Sequence, residues 1–328
     1  MIRRAFITGA SGQDGLYLTQ YLKSLGIEVF GGTRDSRLLI EKAKRFHFDL
    51  PNKIVEVDLL NDSAKRIIFD DCNPDVIFHL SGQSSVKEAE KNPKEASESI
   101  VNATERLFHY ANVTRSKSSI INVASSECFG TIKAVVDSSQ KLNPESAYAS
   151  AKAHTVELAR AFRKKNGADI SNVFVFPHES HVRDNRFLVG RILKEIAVSE
   201  KEDVINKLSF LSEIDGLRDI GLACEYSKGY LMVATQGRPL DTVLGTGQLN
   251  RLSALMQHLM YSLIGFDDST KEFDVGVDVE ASGPSNCAAS VEEQLRKLGW
   301  SPGFKGKVVM EKIAQDYFRL RQMSNASF

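Results

Sequence analysis

Thr8-Gly9-Ala10-Ser11-Gly12-Gln13-Asp14-Gly15 follows a strand-like run from Ile2 to Ile7 and precedes a helical pattern that continues to about Ser24. Three glycines at this spacing, between a strand and a helix, are the mark of a dinucleotide-binding turn. Gly9 lets the chain leave the strand, Gly12 lets backbone N–H groups approach a pyrophosphate at the helix N-terminus, and Gly15 lets helix and sheet pack closely. A purely structural glycine turn is the competing reading of this stretch alone, so the rest of the chain has to decide.

Outward from the turn, strand and helix patterns alternate at the spacing of βαβ units: Arg3–Thr8, a helix, Glu28–Gly32, a helix, Lys53–Val57, a helix, Asp75–Leu80. A helix over Glu98–Ala111, a strand Ser119–Val123, a helix containing Tyr148–Phe162 and a strand Asn172–Phe176 continue the series. The predicted fold class is α/β, a doubly wound parallel sheet of the Rossmann type. Beyond about His178 the pattern loosens into helices at Arg251–Ile264 and Val291–Leu298 and an isolated strand-like piece at Asp241–Leu244. The expected division is a dinucleotide-binding domain over 1–177 and a smaller C-terminal substrate-binding lobe over 178–328, interleaved with the first. Met323–Phe328 reads as a frayed tail.

The 328 residues suffice for a large core without staples. With 42 basic and 42 acidic side chains the net charge is balanced, which gives no reason to expect nucleic acid or an anionic membrane as partner. No apolar run approaches the roughly 18 residues of a membrane helix, and a strand starting at the second residue leaves no room for a cleaved signal. Cys72, Cys128, Cys224 and Cys287 lie far apart with no Cys-x-x-Cys pair, which reads as reduced, buried thiols of a cytoplasmic protein. His178, Glu179 and His181 do not have the spacing of a zinc helix, and no metal is expected.

Tyr148-Ala149-Ser150-Ala151-Lys152 sets a phenol and an ammonium four residues apart on one helix face. A cation there is expected to favour the phenolate and lower the Tyr148 pKa toward that of a general base. A Lys snorkelling beside a half-buried Tyr is the alternative. Ser125-Ser126-Glu127 emerges at the end of the Ser119–Val123 strand, and ligands of open parallel sheets bind beyond the carboxyl ends of the strands. Thr33-Arg34-Asp35 follows the second strand. Arg34 there favours the 2′-phosphate of NADP, and Asp35 leaves NAD as the alternative.

These residues together resemble the extended short-chain dehydrogenase/reductase superfamily, and within it the GDP-mannose 4,6-dehydratase family. The resemblance is carried by the glycine turn with Gln13-Asp14, by His79-Leu80-Ser81-Gly82-Gln83-Ser84-Ser85-Val86, by Ser125-Ser126-Glu127, by Tyr148 with Lys152, by Phe176-Pro177-His178-Glu179-Ser180, by Arg218-Asp219-Ile220-Gly221 and by Lys297–Pro302. It spans nearly the whole chain and is denser before residue 152. The resemblance implies cofactor contacts from Gly9, Ser11, Gly12, Gln13, Asp14, Gly15, Arg34, Asp58, Leu59, Leu80, Gln83, Tyr148, Lys152 and His178. It implies substrate contacts from Ser84, Ser126, Glu179, Arg183, Arg191 and Arg218.

In the chemistry so implied, Tyr148 takes the proton of the sugar 4-hydroxyl as hydride leaves C4, with Ser125 on the same oxygen and Lys152 holding the nicotinamide ribose. The 4-ketone acidifies C5–H, Glu127 takes that proton, water leaves from C6 and the hydride returns there. Glu127 is the discriminating residue, because a 4-keto-6-deoxy sugar reductase or a 4-epimerase does not need it. A non-catalytic NADP-binding paralogue is the alternative of another class. Pro177 replaces the family's Asn, and Glu280–Asn286 lacks the Arg and Glu expected there, so both departures bear on the nucleotide sugar. The assembly expected is a homodimer on helices Glu98–Ala111 and Tyr148–Phe162, with a homotetramer as the alternative.

Overall fold

Seven parallel strands are joined by helices that cover both sheet faces, which is why their sequences are almost continuously apolar rather than alternating. The computed structural model describes residues 1–132, 134–214, 216–265 and 287–325, the side chains at 201, 202, 324 and 325 excepted. The segment Glu280–Asn286 therefore lies outside the described residues. The first half runs β1 (Arg4–Thr8), α1 (Gln13–Ser24), β2 (Glu28–Thr33), α2 (Ser36–Arg45), β3 (Lys53–Glu56), β4 (Val76–His79), α3 (Ala103–Val113), β5 (Ser119–Ser125), α4 (Ala147–Asn166) and β6 (Ile170–Val175). The second contributes α5 (Leu188–Val198), α6 (Ala223–Ala234), β7 (Asp241–Leu244), α7 (Leu252–Ile264), α8 (Val291–Leu298) and α9 (Lys307–Asn325).

The sheet order is β7-β6-β5-β4-β1-β2-β3, with every pairing parallel. The order reverses between β1 and β4, and the crevice beyond the carboxyl ends of these two strands is the expected ligand site. Thr8 at the end of β1 closes its base. Its hydroxyl accepts hydrogen bonds from the Leu80 and Ser81 amides, each at 3.1 Å, and lies 2.9 Å from Nδ1 of buried His79, whose Nε2 is 2.8 Å from the Thr104 hydroxyl. Burial holds the imidazole neutral, its pKa pulled down to about 3, with the Lys152 charge adding to the effect.

Several elements differ from expectation for local reasons. β5 continues to Ser125, because Ala124 and Ser125 still pair with Phe174 and Val175 of β6. In α4 the Ser146 hydroxyl caps the Ala149 amide at 3.1 Å and Gly167 at φ +65° ends the helix at Asn166, so the expected stretch Tyr148–Phe162 lies wholly inside it. α9 runs to Asn325, so Met323 to Asn325 are helix rather than tail. Asp241–Leu244 belongs to the main sheet and is not an isolated piece of the lobe. Its Asp241 carboxylate accepts from Arg160 Nε at 2.8 Å, Arg163 at 2.6 Å and Asn172 Nδ2 at 2.9 Å, which locks β7 to α4 and β6.

The second half also covers one face of the sheet. Tyr226, Tyr230 and Val233 of α6 are buried in one cluster with Leu16, Leu18 and Leu22 of α1. A separate core joins Val189 and Ile192 of α5, Leu259 and Met260 of α7, and Met310 and Ile313 of α9. Cys72, Cys128 and Cys287 are buried free thiols, whereas Cys224, on the outer side of the first turn of α6, is exposed, contrary to expectation. Among the described residues no helix is long and apolar enough to cross a membrane.

Candidate active site

A cleft of about 580 Å³ lies over the crevice between β1 and β4. At one end is the glycine turn. Gly9 takes φ +73°, and a Cβ on Gly15 would stand 2.6 Å from the Ala10 Cα and the Gly9 carbonyl, so both positions require glycine. Gly12 is the N-cap of α1 and supplies no side-chain hydrogen bond. The first amides of the helix, at Gln13, Asp14 and Gly15, therefore meet the cleft without a side-chain cap, at the positive end of the helix dipole. These features fit a bound pyrophosphate.

Gln13 and Asp14 both line the cleft, and their side chains are committed to protein partners. Asp14 accepts from His178 Nε2 at 2.9 Å through both oxygens and from the Tyr230 hydroxyl at 2.8 Å, while His178 Nδ1 donates to the Phe176 carbonyl at 2.7 Å. Gln13 Nε2 donates to the His178 carbonyl at 3.1 Å and its Oε1 accepts from Ser180 at 2.7 Å. Burial alone would raise the Asp14 pKa, but the His178 charge and the hydrogen bonds of His178 and Tyr230 outweigh it and hold the carboxyl at about 2. Burial works to lower His178, and the Asp14 charge and hydrogen bond raise it instead. The pair fastens the glycine turn to the short strand His178–Glu179, which pairs with Gly221–Leu222.

Along the cleft, Arg34 is exposed at the end of β2, while Asp35 is the N-cap of α2 and accepts the Leu38 amide at 3.0 Å. Asp58 turns its carboxylate onto the Leu60 amide at 3.0 Å beside buried Leu59. Gln83 Oε1 accepts from the Ser84 and Ser85 amides at 2.9 and 3.1 Å. Ser11, Leu80, Gln83 and Ser84 all line the same cleft.

Ser125, Ser126, Glu127, Tyr148 and Lys152 meet at the other end, delivered by the end of β5 and the first turns of α4. Lys152 Nζ donates to the Val123 carbonyl at 2.9 Å, and burial lowers its pKa to about 8. The expected depression of Tyr148 is overturned: burial raises the phenol well above its ordinary value, with the Ser125 hydroxyl opposing, because desolvation penalises phenolate more than the neighbours favour it. Glu127 is half-buried, and among the described residues its carboxylate makes no hydrogen bond or ion pair. It lines both the main cleft and an adjoining cavity of about 90 Å³. Ser126, Pro177 and Arg218 line that cavity too.

Two residues expected to contact substrate stand elsewhere. Arg191 is exposed on α5, over the Phe210 ring at 5.0 Å, and lines neither cavity. Glu179 is likewise outside both cavities. It faces Arg183 Nε at 3.1 Å, an ion pair without hydrogen-bond geometry, and burial raises its carboxyl pKa. Arg183 does line the cleft, stacked on the Phe187 ring at 3.7 Å. Lys42, Arg186 and Tyr230 went unnoticed in the sequence. No local motif marks them: Arg186 and Tyr230 reach the site from elements remote in the chain, and Lys42 reads in the sequence as one more basic residue of the helix after β2. Among the described residues no group of three His, Cys, Asp or Glu is placed to hold a metal ion.

The family model for GDP-mannose 4,6 dehydratase matches residues 6–313. The chain is 28% identical over 326 residues to GDP-mannose 4,6-dehydratase of Vibrio cholerae serotype O1, covering 96% of this chain and 83% of that protein. Its fold is similar to that of dTDP-glucose 4,6-dehydratase of Bacillus anthracis in complex with NAD, at TM-score 0.76, 14% identity and 97% coverage of each chain. It is also similar to RMD of Pseudomonas aeruginosa complexed with NADPH, at TM-score 0.73 and 18% identity, covering 96% of this chain and 99% of that one.

Proposed function

We propose, on the premise that this chain belongs to the GDP-mannose 4,6 dehydratase family, that it is an NADP-dependent dehydratase converting GDP-mannose to its 4-keto-6-deoxy product. The observation that carries the reading is the unpartnered Glu127 carboxylate on the same cleft as Ser125, Tyr148 and Lys152. A carboxylate left free in this way is suited to moving a proton rather than holding structure.

The cofactor would rest its pyrophosphate on the amides of Gln13 to Gly15, with Lys152 beside its nicotinamide ribose. When bound, it supplies a hydride acceptor for C4 and a hydride donor for C6. In the loaded site the charge of the oxidised nicotinamide together with that of Lys152 would offset the burial that raises the Tyr148 pKa, so that its phenolate oxygen takes the proton of the sugar 4-hydroxyl while the Ser125 hydroxyl hydrogen-bonds the same sugar oxygen. Glu127 then removes the C5 proton, acidified by the 4-ketone, and delivers it to the 6-hydroxyl, which departs as water; as hydride returns to C6, the proton held on Tyr148 passes to C5, which restores both Tyr148 and Glu127 to their starting forms. Arg218 and Ser126, in the adjoining cavity, are suited to the diphosphate side of the substrate. Pro177 offers no N–H and no side-chain donor to it. We propose a homodimer assembled on α3 and α4.

The test is mass spectrometry of the purified protein with NADP and, in parallel, GDP-mannose and other nucleotide hexoses. Loss of one water from GDP-mannose is expected. Loss of water from another nucleotide hexose alone would overturn the substrate, and no product from any of them would overturn the dehydratase reading.

A further inference from the structure

We infer that Lys42 and Arg186 join Arg34 to form the binding site for the 2′-phosphate of the dinucleotide, and so set the choice of NADP over NAD. The inference rests on the NADP reading above and deepens it, because the sequence after β2 supplies only Arg34 at this point.

The glycine turn abuts the end of β2, where the Ala10 amide donates to the Gly32 carbonyl at 3.0 Å. Two residues beyond Gly32 stands Arg34, and the residue after Ala10 is Ser11, whose carbonyl accepts from Lys42 Nζ of α2 at 3.3 Å. Arg34 and the Lys42 ammonium thus flank the same corner of the cleft. Arg186 enters the cleft from the loop before α5. Its amide and its Nε both donate to Asp184 Oδ1 at 3.0 Å, which fixes the base of the guanidinium and leaves its terminal nitrogens without a protein partner among the described residues. Asp184 feels the charge of Lys42 as well as that of Arg186. Burial raises its carboxyl pKa, but the Arg186 hydrogen bonds and charge outweigh this, and the Lys42 charge adds to them. All three cations line the one cleft.

The carboxylates around this corner are committed to local donors. Asp35 caps α2 at the Leu38 amide, 3.0 Å away, and Glu56 accepts from the Ser36 hydroxyl and amide at 2.5 and 3.2 Å. An acidic residue turned onto a helix cap does not offer itself to a ribose diol. Three cations around a 2′-hydroxyl would gain little, whereas a phosphate dianion would take charge-assisted bonds from each.

The test is calorimetric binding of 2′,5′-ADP and 5′-AMP, fragments that differ only in the 2′-phosphate, alongside NADP and NAD. It uses the wild type, Lys42→Ala, Arg186→Ala and Arg34→Ala. Each substitution is expected to weaken 2′,5′-ADP about tenfold, the value of one charge-assisted hydrogen bond. Unchanged 5′-AMP binding reports an intact site in each variant. If only Arg34→Ala lowers the preference for the phosphate, the inference falls and the NADP reading stands. A wild type that binds 5′-AMP as tightly as 2′,5′-ADP overturns both.

Discussion

The two ends of the cleft treat their carboxylates in opposite ways. At the glycine turn Asp14 is saturated by His178 and Tyr230, whereas at the end of β5 Glu127 has no side-chain partner among the described residues. The first carboxylate holds a shape and the second is left able to exchange a proton. Both carboxylates are half-buried and line the cleft, so burial does not separate them: Asp14 is paired with the His178 cation, while Glu127 is left with its access to the two cavities. Pairing therefore distinguishes structural from chemical acids here better than residue type does.

The comparison breaks first at Glu127. Glu127→Gln keeps the shape and removes the base, and the rate of water loss should fall by about 10²–10⁴-fold. The unfolding free energy should hold within about 0.5 kcal/mol, because the Glu127 carboxylate has no partner to lose among the described residues. Full turnover in this variant would remove Glu127 from the mechanism and favour reductase or epimerase chemistry.

Asp14→Asn is the reciprocal case and should act on stability before chemistry. Removing one partner of a buried pair is expected to destabilise by about 3 kcal/mol, read from denaturant unfolding. The pH dependence sharpens it. Asp14, held at about 2 against its ordinary 3.8, contributes stability that is present above 3.8 and lost as pH falls toward 2. His178, raised above its ordinary 6.5, contributes stability that is complete below 6.5 and lost as pH rises through its folded value. The gap between wild type and variant should be widest between pH 4 and 6.5 and narrow on the alkaline side. A gap that widens there would show the pair is not ionic.

The smallest expected effect is at Ser146, whose hydroxyl caps the helix carrying Tyr148 and Lys152. Ser146→Ala should lower stability by about 1 kcal/mol. If it instead abolishes turnover with no change in melting, the cap positions the phenol as well as the helix.

What was legible in the sequence was local. The glycine turn, the strand ends and the Tyr148–Lys152 face are each set by neighbours within a few residues, so periodicity and spacing reveal them. The membership of β7 in the main sheet was not legible, because a short apolar run such as Asp241–Leu244 reads the same at an edge or in isolation. Its position is settled by Arg160, Arg163 and Asn172 from other elements. The displacement of Arg191 and Glu179 from the cavities has the same origin, since a motif carries residue types and not the direction in which a helix, for Arg191, or a strand, for Glu179, presents them. The raised Tyr148 pKa follows from burial, which no sequence spacing reports.

By itself the sequence determined the class of fold, the strand from which the cofactor turn springs and the set of groups able to do the chemistry. These depend on backbone conformation and on contacts within one or two turns of chain. The tertiary structure alone decided which of those groups remain free. Asp14 is bound by partners 164 and 216 residues away, and Lys42 and Arg186 come from separate elements to line one cleft. Desolvation and pairing act through space, so the division of labour among the acids and cations appears only when remote elements close around them.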